Sequence, residues 1–316
     1  MDLIAIDSSF NERFVFKSGN ADFAVGSDEN DFQLDFDLNI FDKMKSIKFL
    51  SVDKTEFGGK VNSYCIDTAS GTASLKGKTW RGMLSEKIIV PAPNSDYLIL
   101  SGEPYSIIER LINLAGLSDF FTVTHFTSAS ISNFTFKRYC TLIEGITEVL
   151  NEIGFVLTLQ YQNGTVELSA IKNNDIEIDN YDCDLSIQKN FCPVNHLVCL
   201  GKGELKERQV IHLYLQEDGS VGENQFYFGI DERTEVYDYS NVESAEELKN
   251  AGIERLTELA KSEENFEMSL QNTDREIGQT IIAYEHFTGE KIVKRISKKV
   301  LTISKNHNSI QYEVRD

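Results

Sequence analysis

The sequence predicts an α+β protein that is mainly β, on three observations. Many segments alternate apolar and polar residues with the two-residue period of a half-buried strand. Only three stretches show the spacing of an amphipathic helix. Apolar residues make up 41% of the 316 residues, which is enough to build a packed core, and the length suits two or three domains.

The first ninety residues are predicted to form strands. Residues 31–40 alternate cleanly, and one face carries Phe32, Leu34, Phe36, Leu38 and Ile40. Residues 45–52 and 61–66 are further strands, and Gly58-Gly59 is the expected hairpin turn between them. Residues 74–90 form another strand segment, which contains Trp80-Arg81-Gly82.

The middle of the chain changes to an α/β pattern. Residues 107–115 have helical spacing, with Pro104 near the start and Gly116 just past the end. Residues 139–153 form a second stretch of this kind. Two alternating segments then flank Asn163-Gly164, which is the strongest short hairpin signal in the sequence.

The last third is predicted as strands, one helix and more strands. Paired strands are expected near 196–200 and 209–215. Ser244 and Glu247 have the capping-box spacing that opens a helix, here over 244–262. Alternation resumes after this helix and continues almost to the C terminus.

The chain carries 50 acidic and 31 basic residues, a net charge of −19. A surface this acidic repels phosphate, which argues against a nuclease or a repressor but not against a passage through which DNA slides without binding. No secretion signal and no segment of membrane-spanning length is visible, so membrane insertion is not expected. The five scattered cysteines indicate reduced thiols made in a cytosol.

One segment resembles a phosphate-binding loop and consists of Gly71, Gly77, Lys78 and Thr79. That motif needs four residues between its glycines, because backbone N–H groups must wrap one phosphate, and here there are five. The following Trp80-Arg81-Gly82 is predicted as strand, whereas the motif requires a helix N terminus there. The segment is therefore not predicted to bind phosphate.

Two other patterns are weighed against ordinary structural roles. Possible zinc ligands are Cys183, Cys192, His196 and Cys199. Structural zinc usually takes close pairs of ligands, so these cysteines are better explained as small buried apolar residues. The acidic pairs Asp35/Asp37 and Glu263/Glu264 are expected by chance in so acidic a chain. No catalytic, metal or cofactor site is predicted.

Three segments carry a family resemblance. The first starts at Gly77 and reads Gly-Lys-Thr-Trp-Arg-Gly-Met-Leu-Ser-Glu-Lys-Ile-Ile-Val-Pro. The second covers 195–208 and reads Asn-His-Leu-Val-Cys-Leu-Gly-Lys-Gly-Glu-Leu-Lys-Glu-Arg. The third joins Asp274-Arg-Glu-Ile-Gly278 to Phe287-Thr-Gly-Glu-Lys-Ile-Val-Lys-Arg-Ile-Ser-Lys-Lys-Val300. In this order they resemble the tail-tip or baseplate hub proteins of phages and prophages of Gram-positive bacteria.

The resemblance implies two tail-tube-like β-barrel domains with an inserted small α/β domain. Residues 1–92 would supply the N-terminal part of the first barrel, and residues 93–182 the inserted domain. Residues 183–316 would form the second barrel, with the one helix at 244–262, and would also complete the first. Three copies would form a ring that adapts a sixfold tail tube to a threefold tip.

The implied role is structural and not enzymatic. A hub ring at the distal end of the tail tube would attach the host-recognition or cell-wall-penetrating apparatus and let DNA pass. Its expected partners are copies of itself in a homotrimer, the distal tail or tube protein, and a tip or spike protein. The protein would be made in the host cytoplasm and act in the virion tail. A peptidoglycan hydrolase and a carbohydrate-binding module, the latter using the many aromatic residues, stay open as alternatives.

Two groups of residues are candidates for assembly. The fold-defining or assembly candidates are Trp80, Arg81, Gly82, His196, Gly201, Gly203, Arg208 and Gly289. Trp80 is expected to anchor the core, and Gly201 and Gly203 to permit a turn or bulge. Three carboxylates on one strand are predicted to face the lumen of the ring and to repel DNA phosphate, namely Asp31, Asp35 and Asp37.

Overall fold

The structure is a computed structural model. It describes residues 2–16, 19–91, 93–179, 183–189, 193–242, 244–261, 264–270, 275–284, 289, 291–304 and 307–315. The chain forms two compact units. The large unit combines Met1–Asp184 with Met268–Asp316, and the small unit is Leu185–Glu267.

Strands predominate over helices, which confirms the predicted α+β, mainly β class. The strands are β1 Leu3–Ile6, β2 Glu12–Phe16, β3 Asn20–Gly26, β4 Asp31–Asp37, β5 Phe49–Val52, β6 Gly58–Asp67, β7 Thr72–Thr79, β8 Ile99–Gly102, β9 Phe121–Val123, β10 Ile131–Thr135, β11 Phe155–Gln162, β12 Thr165–Lys172, β13 Ile176–Asp179, β14 Cys183–Lys189, β15 His196–Leu200, β16 Val210–Leu215, β17 Val221–Gly222, β18 Thr234–Asp238, β19 Glu264–Leu270, β20 Thr280–Tyr284, β21 Lys291–Ile303 and β22 Asn308–Arg315. The helices are α1 Phe41–Met44, α2 Trp80–Ser85, α3 Pro104–Leu114, α4 Leu142–Glu152 and α5 Ala245–Lys261.

The main sheet of the large unit contains the strand order β22-β21-β3-β4-β7-β6-β5-β1-β2. Lys299 on β21 lies opposite Val25 on β3, so strands from both ends of the chain pair in one sheet. Within the described residues this strand path is open and ends at β2, which differs from the closed barrels that the resemblance implied. Closure would require hydrogen bonds between the two edge strands, and the described pairings do not supply them.

The alternating segment at 31–40 forms a strand over its first seven residues. Phe32, Leu34 and Phe36 are buried, as the two-residue period predicts. The strand ends earlier than expected because the Asp37 side chain accepts a hydrogen bond from the Asn39 backbone N–H at 3.0 Å. That contact opens a short 3-10 turn.

The predicted turn at Gly58-Gly59 is wrong, because both glycines begin β6. The chain turns before them, where Thr55 Oγ1 donates to the Val52 carbonyl at 2.8 Å. A Cβ atom at Gly59 would lie 2.0 Å from the carbonyl oxygen of Lys78. These glycines therefore allow close strand approach and not a change of direction.

The predicted strand over 74–90 is also wrong beyond Thr79, because Trp80–Ser85 form α2. Thr79 caps this helix by accepting a hydrogen bond from the Gly82 backbone N–H at 3.3 Å. A helix of six residues is too short to show helical periodicity in the sequence. Its N terminus is already capped and buried, so the phosphate-loop pattern before it is structural.

The two helices and the hairpin predicted for the middle of the chain are present, whereas β8, β9 and β10 were not predicted. α3 begins at Pro104, and α4 opens with a capping box between Thr141 and Glu144. β11 and β12 form the hairpin expected at Asn163-Gly164, whose φ angles of 52° and 84° suit a type I′ turn. β9 pairs in parallel with β12 to complete a three-stranded sheet.

The small unit is a four-stranded sheet with the order β17-β16-β15-β18, and α5 packs on one face of it. The interface buries apolar side chains of the sheet and helix, which are Leu197, Cys199, Leu213, Leu248 and Leu256. α5 matches the helix predicted over 244–262. None of the helices within the described ranges is long and apolar enough to cross a membrane.

Candidate assembly surface

The outer face of the main sheet is a polar surface. Asp31, Gln33 and Asp35 project from β4 on the side opposite its buried side chains. Lys78 and Lys76 on β7 lie opposite Asp31 and Gln33. Charges of both signs therefore alternate between neighbouring strands.

An open groove of about 620 Å³ runs along this face. The charged residues that line it are Asp22, Glu29, Asp31, Lys76, Lys78 and Lys298. Lys298 Nζ lies 2.6 Å from Glu29 Oε2, and Lys78 Nζ lies 3.8 Å from Asp31 Oδ2. Burial, together with the charge of Glu29, raises the pKa of Asp22. The groove therefore exposes both carboxylates and lysine ammonium groups.

The three aspartates predicted to face a lumen lie on this strand in different settings. Asp31 and Asp35 are half-buried, whereas Asp37 is exposed at the strand end. Gln33 Nε2 donates a hydrogen bond to Asp35 Oδ1 at 2.8 Å. Lys78 lies opposite Asp31 and Lys76 lies opposite Gln33, so this face is less purely acidic than the sequence indicated. Whether it lines a lumen is a property of the assembly and stays a prediction.

The opposite side of β21 carries a buried group of four charged residues, Glu56, Arg81, Lys299 and Glu276, here called the ion network. Arg81 Nε lies 2.8 Å from Glu56 Oε2. Lys299 Nζ bridges the two carboxylates, in contact with Glu56 Oε1 and 2.9 Å from Glu276 Oε2. Two cations and two carboxylates balance, which is how charges are accommodated inside a protein.

The two carboxyl groups of the ion network titrate in opposite directions. Burial acts to raise the pKa of Glu56, but Lys299 and Arg81 outweigh it and lower this pKa to about 2. Burial and the nearby charge of Glu56 raise the pKa of Glu276 to about 7, against the attraction of Lys299. Burial acts to lower the pKa of Lys299, and the two carboxylates raise it above its usual value. Glu276 is therefore the carboxylate of the network that takes up a proton first as the pH falls.

The ion network connects segments that are far apart in sequence. Glu56 precedes β6, Arg81 belongs to α2, Glu276 precedes β20, and Lys299 belongs to β21. Arg81 Nη2 also donates to the Leu157 carbonyl of β11 at 3.0 Å, which ties the α/β region to the main sheet. Sequence reasoning missed this convergence. The available signal was a lysine at an inward-facing position of an alternating strand.

Trp80 and Gly82 lie next to the ion network in the core of the large unit. Trp80 is fully buried, with its ring centroid 5.2 Å from that of Phe120 and 6.0 Å from that of Tyr161. A Cβ atom at Gly82 would lie 2.3 Å from the carbonyl oxygen of Asn30. Trp80-Arg81-Gly82 is thus an internal segment where three elements meet, and not an exposed contact.

His196 is buried on the sheet face of the small unit that α5 does not cover. Its Nδ1 lies 2.7 Å from Glu232 Oε1, and its Nε2 lies 2.8 Å from His212 Nδ1. Its ring also stacks on Tyr214 at a centroid distance of 4.4 Å. The residue therefore organises polar side chains from β15, β16 and the segment before β18.

Gly201, Gly203 and Arg208 lie in the connection from β15 to β16. Gly203 has a φ of +111°, which favours glycine, and Arg208 Nε donates to the Gly201 carbonyl at 3.1 Å. Arg208 Nη2 also lies 2.5 Å from Asp238 Oδ1. Gly289, with a φ of +73°, lies just before β21.

The candidate zinc ligands do not converge. His196 and Cys199 are three residues apart on β15, so they point to opposite faces of the sheet. Cys192 and the side chain of Cys183 lie outside the described residues, as do Glu263 and Asp274. Among the residues that the structure describes, no group of three or more possible metal ligands comes together.

No protein-family model matches the chain, and no curated protein matches it in sequence. Solved structures match it over nearly its full length. The 43 kDa tail protein of prophage MuSo2 from Shewanella oneidensis aligns with a TM-score of 0.51 and 10% identity, covering 99% of this chain and 97% of that protein. The tail protein from Neisseria meningitidis MC58 gives 0.46 and 9%, covering 100% and 96%. The prophage tail protein gp18 from Listeria monocytogenes EGD-e gives 0.44 and 10%, covering 99% and 94%.

The match to the Shewanella protein establishes the fold, because it extends across both chains almost from end to end. At 10% identity it does not transfer individual residues or their roles. The alignment covers the mainly β architecture described above, including the segments at both ends of the chain that pair in the main sheet. The chain therefore has the fold of a phage tail protein.

Proposed function

We propose that this protein is a structural component of the phage virion tail, the hub ring at the distal end of the tail tube. The observation that supports this most directly is the fold shared along the whole chain with the Shewanella prophage tail protein. The three sequence segments that resemble tail-tip hub proteins support the finer assignment. The ring would attach the host-recognition or cell-wall-penetrating apparatus and would let DNA pass.

The assembly proposed is a homotrimer that contacts the distal tail or tube protein on one side and a tip or spike protein on the other. The groove on the main sheet carries Asp31, which belongs to the lumen wall in this proposal, so these partner contacts are placed on other surfaces of the chain. The division of the chain at residues 92 and 182 remains part of this proposal. Limited proteolysis at those positions would test it.

The acidic charge supports passage of DNA without binding. A chain with 19 net negative charges repels phosphate, and a ring of three such chains does so more strongly. We place Asp31, Asp35 and Asp37 on the lumen wall in this proposal. A purely structural role of this kind requires no catalytic residue in the chain.

Solution mass tests the proposal first. Light scattering at low and high salt should show a species of three times 35.8 kDa, and salt should strengthen it by screening repulsion between acidic chains. Electron microscopy of that species should show a ring. A chain that stays monomeric at every salt and protein concentration, also with the distal tail protein added, would contradict the hub assignment.

The lumen assignment has its own test. In the triple variant Asp31→Lys/Asp35→Lys/Asp37→Lys, the ring should keep its mass and gain DNA binding in a gel-shift assay. The control variant changes three exposed acids of α5, Glu246, Glu247 and Glu254, to lysine, and should bind DNA less. Loss of the ring in the first variant would place the aspartates between copies, and equal DNA binding by both variants would reject the lumen position.

A carbohydrate-binding role is the alternative that a structural observation favours. Tyr64, Tyr97 and Tyr139 are 62%, 50% and 58% exposed, so their amphipathic rings are accessible to a sugar. Co-sedimentation with purified peptidoglycan tests this role. Release of soluble fragments in the same assay would indicate the hydrolase alternative.

A further inference from the structure

The connection from β17 to β18, residues 223–233 of the small unit, displays apolar side chains to solvent. Ile230 is 99% exposed, Phe228 63% and Phe226 43%. Large apolar side chains exposed singly are common on protein surfaces, but three at alternate positions of one loop form a patch. We call residues 223–233 the display loop.

The display loop is held in place at both ends. Gln216 Nε2 donates to the Asn224 carbonyl at 2.8 Å, and Glu223 pairs with Lys249 of α5. At the other end, the buried Asn195 donates through Nδ2 to the Asp231 carbonyl at 2.7 Å and accepts from the Arg233 backbone N–H at 2.9 Å. Because the loop is already ordered, binding a partner costs little backbone conformational entropy.

The tip of the display loop has a defined shape. Gly229 has a φ of +64° and opens a 3-10 turn over Gly229–Asp231, which carries Ile230 outwards. The ring of Phe226 packs edge-to-face on Tyr227 at a centroid distance of 5.0 Å. Ile230 and Phe228 are therefore the outermost groups of a supported structure.

The surroundings of the display loop are acidic. Glu217 and Asp218, in the turn that Gln216 ties to the loop, are exposed, as is Asp231 within it. The sequence of the small unit, residues 185–267, has 17 acidic and 8 basic side chains, a net charge of −9. A second copy of this surface would bring the same negative charge, which opposes self-association through the loop.

We propose that the display loop is a recognition element that packs Phe228 and Ile230 against the apolar face of an amphipathic segment of a partner protein, and that this face is flanked by lysine or arginine side chains. The apolar tip would supply the contact energy, and the surrounding carboxylates would pair with these basic side chains and orient the partner. The inference needs only the small unit and does not depend on the hub assignment, although another tail component would suit it.

A labelled amphipathic helical peptide of leucine and lysine serves as the probe, with fluorescence anisotropy of the full-length protein as the readout. The wild type should bind this peptide, and added salt should weaken binding. Phe228→Ser/Ile230→Ser should lower the affinity at least about tenfold. The matched control is Leu205→Ser, since Leu205 is 93% exposed in a different loop of the same unit, and it should bind as the wild type does.

Four results would overturn the proposal. If a leucine–glutamate peptide binds as tightly as the leucine–lysine peptide, the loop does not select its partner by charge. If the double variant and Leu205→Ser lose the same affinity, the peptide binds by non-specific apolar contact. A change of solution mass in the double variant would make the loop a contact between copies. Failure of the peptide assay with an intact ring rejects this inference alone, whereas absence of the ring in the wild type bears only on the hub proposal.

Discussion

Arg81 and Glu56 form a buried ion pair in which Arg81 Nε lies 2.8 Å from Glu56 Oε2 and the two side chains are 6% and 4% exposed. The two residues belong to different segments of the chain. Lys299, from a third segment, also pairs with Glu56. Removing one member of such a group leaves another charge buried without compensation, which costs more than the intact pair contributes. Single substitutions in the ion network should therefore destabilise the large unit strongly.

Lys299→Met should destabilise the protein by about 3–5 kcal/mol, because Glu56 and Glu276 lose the cation between them. Lys298→Met is the matched control at the adjacent position. Lys298 pairs with Glu29 and Glu313, which are 48% and 51% exposed, so its loss should cost at most about 1 kcal/mol. Urea unfolding followed by the fluorescence of Trp80, the only tryptophan, measures both. Similar costs for the two variants would contradict a special role of the network.

Stability should fall as pH rises from about 4.5 to about 7. In this window Glu276, with its pKa raised from 4.5 to about 7, binds more proton in the folded than in the unfolded state. The effect is at most on the order of 3 kcal/mol. Glu56, whose pKa is lowered to about 2, acts oppositely and removes stability as pH falls below 4.5. Glu276→Gln should remove the fall in stability between about pH 4.5 and pH 7 and leave the loss of stability below pH 4.5 unchanged. Urea unfolding at several pH values measures both. An unchanged slope in this variant would exclude Glu276 as its source.

Gly82→Ala should lower stability by about 1–3 kcal/mol. Alanine favours a helix over glycine by about 1 kcal/mol, but its Cβ would lie 2.3 Å from a backbone oxygen that cannot rotate away. Gly222→Ala is the control, since its Cβ would meet nothing closer than 3.6 Å. Calorimetry should show a lower Tm for the first variant and little change for the second. If both are neutral, the contact at Asn30 is not tight.

Thr141→Ala should cost about 1 kcal/mol, because the capping box of α4 loses the hydrogen bond from the Glu144 backbone N–H to Thr141 Oγ1. Thr147→Ala tests an exposed threonine on the same helix, whose hydroxyl donates to the Ile143 carbonyl within the helix. It should be neutral or slightly stabilising, because alanine is the better helix former. Equal destabilisation by both changes would argue against the cap.

Local patterns predicted many of the regular elements of this protein. The alternation at Phe32, Leu34 and Phe36 identified β4, and the Asn163-Gly164 pair identified the β11–β12 turn. Both are properties of neighbouring residues, whose side-chain period and allowed φ angles act over a few positions. Resemblance of three segments gave the tail-protein fold, which the structural match supports independently.

The candidate site was predicted less well. Trp80, Arg81 and Gly82 were singled out as fold-defining, but they were expected on a strand and lie in α2. Gly58-Gly59 was expected in a turn and lies in a strand, because the demand for glycine there comes from a neighbouring strand and not from the local chain. The convergence of Glu56, Arg81, Glu276 and Lys299 was not predicted at all.

By itself, the sequence determined the class of this protein, its acidic charge and the positions of its periodic elements, since these depend on composition and on short-range spacing. Only the tertiary structure decided the pairing of β21 with β3, the meeting of Arg81 with Glu56 and the fixed display of Ile230. The physical reason is distance along the chain. Charge compensation, close backbone approach and exposure depend on which remote segments pack together, and no local period records that choice.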